Sequence, residues 1–285
     1  MANTLADLWE AYRSTLGFAI VNALFGLSTY AVLSVGILSF ATVTYAAAGG
    51  FIGTQLALQL HWPTLLVLPA AAVAGAALAW LAALILLRLD SHWMALASLA
   101  LVLLTRVVAI NATGLTGGVS GLSVPLFVPF VVMPALLLIA VLLFWRLGAS
   151  WYGIAARAVR EDAVVAATIG IPARRIRMLA FVISGATGGA GGMALALMLH
   201  FLSPDTYFIN VAFTMIAAVV LGGSYHWAGA IIGALVFTVL PVLAQAVLPA
   251  FEQVLNGVAL LLIMIFLPRG LIDPRQWRLR RVRAR

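Results

Sequence analysis

Residues 14–87 read STLGFAIVNALFGLSTYAVLSVGILSFATVTYAAAGGFIGTQLALQLHWPTLLVLPAAAVAGAALAWLAALILL, without a single formally charged side chain. A helix that crosses a bilayer needs about 20 predominantly apolar residues, so this stretch alone has the length of about three crossings. The rest of the 285-residue chain continues in the same way, at 65% hydrophobic, 8% charged and a mean hydropathy of +1.15. Soluble domains carry about a quarter charged residues, so the composition defines an all-α polytopic membrane protein with no soluble domain large enough to bury a core of its own.

Apolar runs of helical length predict about nine membrane-crossing segments, near 15–37, 40–60, 64–87, 92–110, 125–145, 176–199, 207–223, 228–249 and 253–268. Dividing the first two differently gives eight or ten. Pro69, Pro134 and Pro241 fall inside three of them and are expected to kink those helices, because each removes a backbone donor.

Net charge is +8 with no lysine, all sixteen basic residues being arginine. Arg146, Arg157, Arg160, Arg174, Arg175 and Arg177 lie in or beside the loop 146–177, and Arg269, Arg275, Arg278, Arg280, Arg281, Arg283 and Arg285 form the tail 269–285. Together these hold thirteen of the sixteen arginines, so the positive-inside rule places both in the cytoplasm. Four predicted spans lie between them, an even number, as a shared side requires. Five precede the loop, which puts the acidic N-terminus (Asp7, Glu10) outside. The first fourteen residues lack a basic leader region and do not read as a cleavable signal peptide. The tail reads as an orientation and lipid anchor.

The remaining ionisable residues narrow the function. No Asp or Glu falls inside a predicted span, and His61, His92, His200 and His226 sit at segment edges. Proton-coupled carriers place such groups inside the bundle as relays, so that class is disfavoured. A sodium site built from backbone carbonyls would escape this argument. No His/Asp/Glu group has metal-ligand spacing and no cysteine exists, which leaves neither a metal centre nor an evident catalytic constellation. Without lysine, a phosphate-binding loop of the G-x-x-x-x-G-K-[ST] type is impossible. Any ATP motor must therefore be a separate chain, with the Mg–ATP bound there and no cofactor in this one.

The loop Trp151–Pro172 has helix-forming composition from Ile154 to Ile169 and stops at Gly170 and Pro172. One helix over that range would place Ile154, Ala158, Val165 and Ile169 on one face, with Arg157 and Arg160 beside it and Glu161 between. Such a helix suits docking on a cytoplasmic partner or lying on lipid with arginine anchors.

These residues resemble a known family. Gly153, Ala158, Arg160-Glu161-Asp162, Ala166-Ala167 and Gly170-Ile171, followed by Leu179-Ala180-Phe181-Val182-Ile183-Ser184, are similar to the cytoplasmic loop of branched-chain amino-acid ABC transporter permeases, more the M-type than the H-type subunit. Leu115-Thr116-Gly117-Gly118-Val119-Ser120-Gly121-Leu122, the glycine-rich run from Val220 through Gly222 and Gly223 to Gly233, and Pro268-Arg269-Gly270-Leu271 follow in family order. The N-terminal third departs: Gly36-Ile37-Leu38-Ser39-Phe40-Ala41-Thr42 stands where the family usually reads G-x-L-S-F-G-x, and Tyr225 replaces a usual glycine. The resemblance implies a single permease domain over 1–285 that works with a second permease, two cytoplasmic ATPase subunits and an extracytoplasmic substrate-binding protein. By position, Arg157, Arg160, Glu161, Asp162, Ala166 and Gly170 would couple it to the ATPases. Branched-chain or similar amino acids are the implied solutes; urea, short amides or another small solute fit the same machine. A stand-alone secondary transporter is the runner-up, and a membrane-embedded enzyme comes third.

Candidate pathway residues are Ser39, Thr42, Thr44, Tyr45, Gln55, Arg106, Thr116, Gly117, Gly118, Ser120, Gly222 and Gly223. Each has a plainer reading. Small residues such as Gly49, Gly50 and Gly53 let helices approach, and hydroxyls bond across them. Gly185, Gly188, Gly189 and Gly192 read as packing surface. Thr116–Gly121 suits either a turn or a re-entrant backbone segment offering amides to a carboxylate. Arg106, near an outer span end, is expected to snorkel to the interface, its alternative being a pair with a substrate carboxylate or a binding protein. The orientation has a direct check: a topology reporter fused at residue 2 should report the face opposite one fused after residue 285, and a shared face breaks the odd span count.

Overall fold

The computed structural model describes residues 2–126 and 129–247. Among them run eleven helices: α1 (Ala2–Leu33), α2 (Thr42–Leu60), α3 (Thr64–Leu86), α4 (Ser91–Asn111), α5 (Thr113–Thr116), α6 (Val132–Ala149), α7 (Trp151–Glu161), α8 (Ala163–Thr168), α9 (Ala173–Leu199), α10 (Ile209–Gly222) and α11 (Trp227–Val247). Two short strands, β1 (Leu122–Ser123) and β2 (Phe201–Leu202), pair antiparallel and tie the α5–α6 connection to the α9–α10 connection.

The polytopic all-α class is borne out; among the described residues five or six of the expected crossings pass on length and composition. Five stretches are long and apolar enough to cross a bilayer: 13–33, 64–86, 93–111, 132–149 and 173–199. The predicted segment 40–60 is helical as α2, but its Thr, Gly and Gln residues make it less apolar than those five. Segments 207–223 and 228–249 correspond to α10 and α11, which meet at a bend of 119° and, counted together as one broken span, make a sixth. Segment 253–268 and the tail lie outside the described residues. The segment expected from 125 starts its helix only at Val132, so Pro134 falls in the first turn, where its missing N–H is not needed and the expected mid-span kink has no cause. Pro69 does lie within α3, and Pro241 lies within the bounds of α11.

The hub is α9. Some 72% of its crossing stretch is buried inside the protein, against 22% for α4 and 17% for α6. It reaches its neighbours by backbone rather than by side chains. A methyl group on Gly75 of α3 would sit 2.8 Å from the Cα of Gly189 and would overlap the Gly185 carbonyl. One on Gly49 of α2 would run into the backbone of Gly189, and one on Gly192 into that of Ala46. Gly75 faces Gly185 and Gly189 while Ala79 faces Gly185 and Ala71 faces Gly189, so α3 and α9 run antiparallel. This is the small-residue packing expected where apolar attraction between helices gives no advantage over lipid. Gly50 and Gly53 are likewise filled, by Tyr207 and Met193.

Hydroxyls add a few fixed points. Ser28 Oγ of α1 donates to the Ser184 carbonyl (2.6 Å) and meets Ser184 Oγ at 3.1 Å, and Tyr207 Oη donates to the Gly192 carbonyl (2.6 Å). Among the described residues, the buried hydroxyls of Thr29, Thr42, Tyr45 and Thr54 have no hydrogen-bond partner.

A methyl at residue 189 would meet the Ala71 carbonyl and the Gly75 backbone, whereas one at residue 114 meets nothing within 4 Å. Forced overpacking costs about 1–3 kcal/mol. Gly189→Ala should therefore lower the melting temperature in detergent while Gly114→Ala leaves it unchanged, and equal melting of the two would refute backbone-limited packing.

Candidate functional site

Two regions at opposite ends of the bundle gather the chemically distinctive residues. The first is a groove of about 380 Å³ between α2 and α4, mostly apolar, into which Thr44, Gln55, Gln59, Thr105 and Thr116 bring polar groups. The Thr44 and Thr105 hydroxyls meet at 3.0 Å across the helices. Gln59 follows Gln55 by four positions, so both lie on one face of α2, the face turned away from α9. Gln55 Nε2 donates to the Leu115 carbonyl (2.7 Å) and the Gly114 carbonyl (3.2 Å), pinning the α4–α6 connection over the groove's end. Thr116 locks that connection from within, its hydroxyl donating to the Ala112 carbonyl (2.9 Å) and accepting from Gly118 N (3.2 Å). Gly117 and Gly118 hold φ of 72° and 59°, a left-handed pair that glycine adopts without steric cost. The segment is a compact capping turn.

The candidate pathway residues therefore separate. Thr44, Gln55 and Thr116 come together at the groove, with Gly117 and Gly118 in the turn that closes it. Ser39 is buried in the α1–α2 turn, where Oγ accepts from Ala41 N (3.2 Å). Thr42 and Tyr45 face the interior near Gly188. Ser120 is exposed on the outer turn. Gly222 and Gly223 lie where α10 meets α11, packed on Gly229. Thr105 and Gln59 were not among the candidates, although the i, i+4 spacing of Gln55 and Gln59 marks a polar stripe on an otherwise apolar helix.

Arg106 gains a partner within the chain: its Nε pairs with Asp205 (2.8 Å), and its guanidinium lies 4.6 Å from the centre of the Phe208 ring. Both partners are well exposed, at 40% and 67%, so the ion pair is worth no more than about 1 kcal/mol. It ties α4 to the entry of α10.

The second region is the loop 150–172. The single helix expected over 154–169 is two helices, α7 and α8, broken at Asp162. Asp162 takes an extended conformation, and Oδ1 accepts from Val164 N (2.7 Å) and Val165 N (3.0 Å). This is an N-cap, and a side chain that satisfies free amides there competes with helix continuation. Ala155, Ala156, Val159 and Ala166 pack on the ends of α1, α3 and α9. Ile154, Val164, Val165 and Ile169 point outward and are exposed, so most of the expected apolar stripe survives the break as an outward surface. Glu161, Asp162 and Gly170 are also exposed.

Arg160 points the other way. Its guanidinium donates to the Ser224 carbonyl and to Ser224 Oγ (2.8 Å) and lies 4.1 Å from the Tyr225 ring centre. Its backbone sits against Gly36, whose φ of 78° lets the α1–α2 turn come within 3.3 Å, measured from an added methyl. Hydrogen bonds from a charged donor are worth about 1.5–3 kcal/mol, so this partly buried contact outweighs the exposed Arg106 pair. Around it opens a cavity of about 620 Å³ whose lining includes Tyr30, Tyr152, Arg157, His226 and Trp227. Burial, with a contribution from Arg157, lowers the pKa of His226. The neutral ring suits the 3.1 Å bond that Nδ1 accepts from Ala228 N. Burial likewise raises the pKa of the Tyr152 hydroxyl.

Apolar helices long enough to cross a bilayer, a loop that offers an apolar surface at one end and a polar-striped groove toward the other are the features of a multi-pass membrane protein. The family model for the permease component of branched-chain amino acid transport systems matches residues 12–267, and the chain belongs to that family. It is 28% identical over 293 residues to the high-affinity branched-chain amino acid transport system permease protein LivM of Escherichia coli K12, covering 88% of this chain and 66% of that protein. It is 33% identical over 123 residues to LivH of Salmonella typhimurium, covering 42% of this chain and 39% of LivH. The wider LivM match agrees with the M-type resemblance of the loop. The chain spans just under two thirds of LivM's length. No solved structure matches.

Removing an N-cap carboxylate costs about 1 kcal/mol. Asp162→Ala should therefore speed hydrogen exchange at Val164 and Val165 about fivefold, by that free energy, with α9 unaffected. Unchanged exchange would show that Asp162 does not hold the break.

Proposed function

We propose that this chain is the membrane-spanning permease subunit of an ATP-driven importer for branched-chain or similar amino acids, working with a second permease, two cytoplasmic ATPase subunits and an extracytoplasmic binding protein. Family membership supports the transport role. The observation that carries the coupling to a motor is the loop 150–172: one face is anchored on the bundle, and the other presents Ile154, Val164, Val165 and Ile169 outward. Glu161 and Asp162 are exposed beside this patch, as are Arg157, Arg174 and Arg175 of the same loop region, so its surroundings carry charges of both signs. A hydrophobic cleft on a protein suits it well.

The topology that goes with this reading has about nine crossings, α2, α10 and α11 among them, with the loop and the tail in the cytoplasm and the N-terminus outside. Five helices, α1 to α4 and α6, precede the loop, and the contact of Arg160 with Ser224 brings the α10–α11 turn to the loop's end of the bundle. The solute path runs along the α2–α4 groove and is completed by the second permease. Gln55 and Gln59 on an outward face are costly against lipid and favourable against a wetted path, while the apolar walls accept a branched side chain.

The chain has no cysteine, so Val165→Cys provides a unique cross-linking handle. Co-expressed with its candidate partners, the variant should cross-link to an ATPase subunit, and vesicles should need both ATP and binding protein for uptake. Uptake by this chain alone, driven by an ion gradient, would overturn the reading.

A further inference from the structure

We infer that Arg160 is the latch through which the loop 150–172 moves the α10–α11 pair, making it a positioning residue for transport rather than a contact for the ATPase. The sequence groups Arg160 with the docking residues, but the structure turns its guanidinium inward, onto Ser224 and Tyr225 in the short turn between α10 and α11. Two hydrogen bonds from this one side chain of α7 reach that turn. Its backbone also abuts Gly36 in the α1–α2 turn, so one residue joins three segments at the loop's end of the bundle.

The turn it grips is a good point of application for a force. α10 and α11 approach each other through glycine: a methyl on Gly222 would overlap Gly229, and one on Gly233 would overlap the Ala218 carbonyl. With no side chains to repack, that end of the bent pair follows the turn as one piece. At its far end α10 begins beside a second arginine contact of the same design, Arg106 on Asp205 and Phe208. Arg106 belongs to α4, and its neighbour Thr105 lines the α2–α4 groove. Between its ends α10 also places Phe213 edge-on to Phe40 at 5.1 Å, and Phe40 N donates to Ser98 Oγ of α4 (2.9 Å). A continuous set of contacts thus runs from the loop, through Arg160 and α10, to the helix that forms one wall of the groove. Tyr225, half of the grip, is also a position where the chain departs from the usual glycine of the family pattern.

The inference rests on the importer reading, and the test separates the two. Arg160→Gln and Arg160→Lys are made in the assembled transporter in vesicles; lysine keeps the charge but loses the planar fork that both bonds and stacks. Two quantities are read: hydrogen exchange of the peptide spanning 221–228, and solute imported per ATP hydrolysed. Both variants should raise exchange there about tenfold and reduce import per ATP by a similar factor, with the ATPase subunits still bound and hydrolysing. Ser224→Ala combined with Tyr225→Gly leaves Arg160 intact and should reproduce the effect, which guards against a variant that merely fails to fold. Unchanged exchange, or unchanged import per ATP, in all variants would overturn the latch. If the unmodified transporter imports nothing with ATP, the importer reading fails instead, and the exchange data alone still decide whether Arg160 holds the turn.

Discussion

Everything in this bundle is placed by the backbone-to-backbone approach of α9 to α2 and α3. Glycines at 49, 75, 185, 189 and 192 remove the side chains that would otherwise set the distance, and a single methyl at several of these positions meets a carbonyl. Shape rather than apolar transfer holds such an interface, because lipid tails solvate hydrocarbon as well as protein does. Since α2 spends one face on α9, its Gln55–Gln59 face is left to the groove. Since α3 and α9 end together near the loop, α7 finds a small-residue floor for Ala155, Ala156 and Val159.

The two arginine contacts show how similar chemistry is weighted by surroundings. Each guanidinium combines a polar partner with an aromatic ring. At Arg106 the partners are exposed and solvent weakens the attraction. At Arg160 the bonds are partly buried, and Gly36 brings another turn against the same residue, so water competes less well. The stronger contact lies beside the element that a motor would push.

Much of this was legible in the sequence, and the failures have physical causes. The long apolar runs gave helices within a few residues of their true bounds for 64–87, 92–110 and 176–199, and the glycine cluster at 185–192 was read as packing surface. The break at Asp162 was missed because composition favours a helix throughout, whereas the local competition is decided by one side chain that caps. The 119° bend between α10 and α11 was invisible because two apolar runs separated by a short turn read alike whether the helices lie side by side or splay apart. The partner of Arg106 was not legible because Asp205 is ninety-nine residues away in sequence. The candidate groove was half legible: Thr44 and Gln55 lie in it, while the neighbouring Thr42 and Tyr45 turn inward, a division set by helix rotation against α9.

The unpartnered hydroxyls of Thr29, Thr42, Tyr45 and Thr54 bear on the shape of the energy landscape. A buried hydroxyl left without a partner costs about 1–3 kcal/mol. Any arrangement that brought water or a polar partner to these positions of α1 and α2 would recover part of that cost.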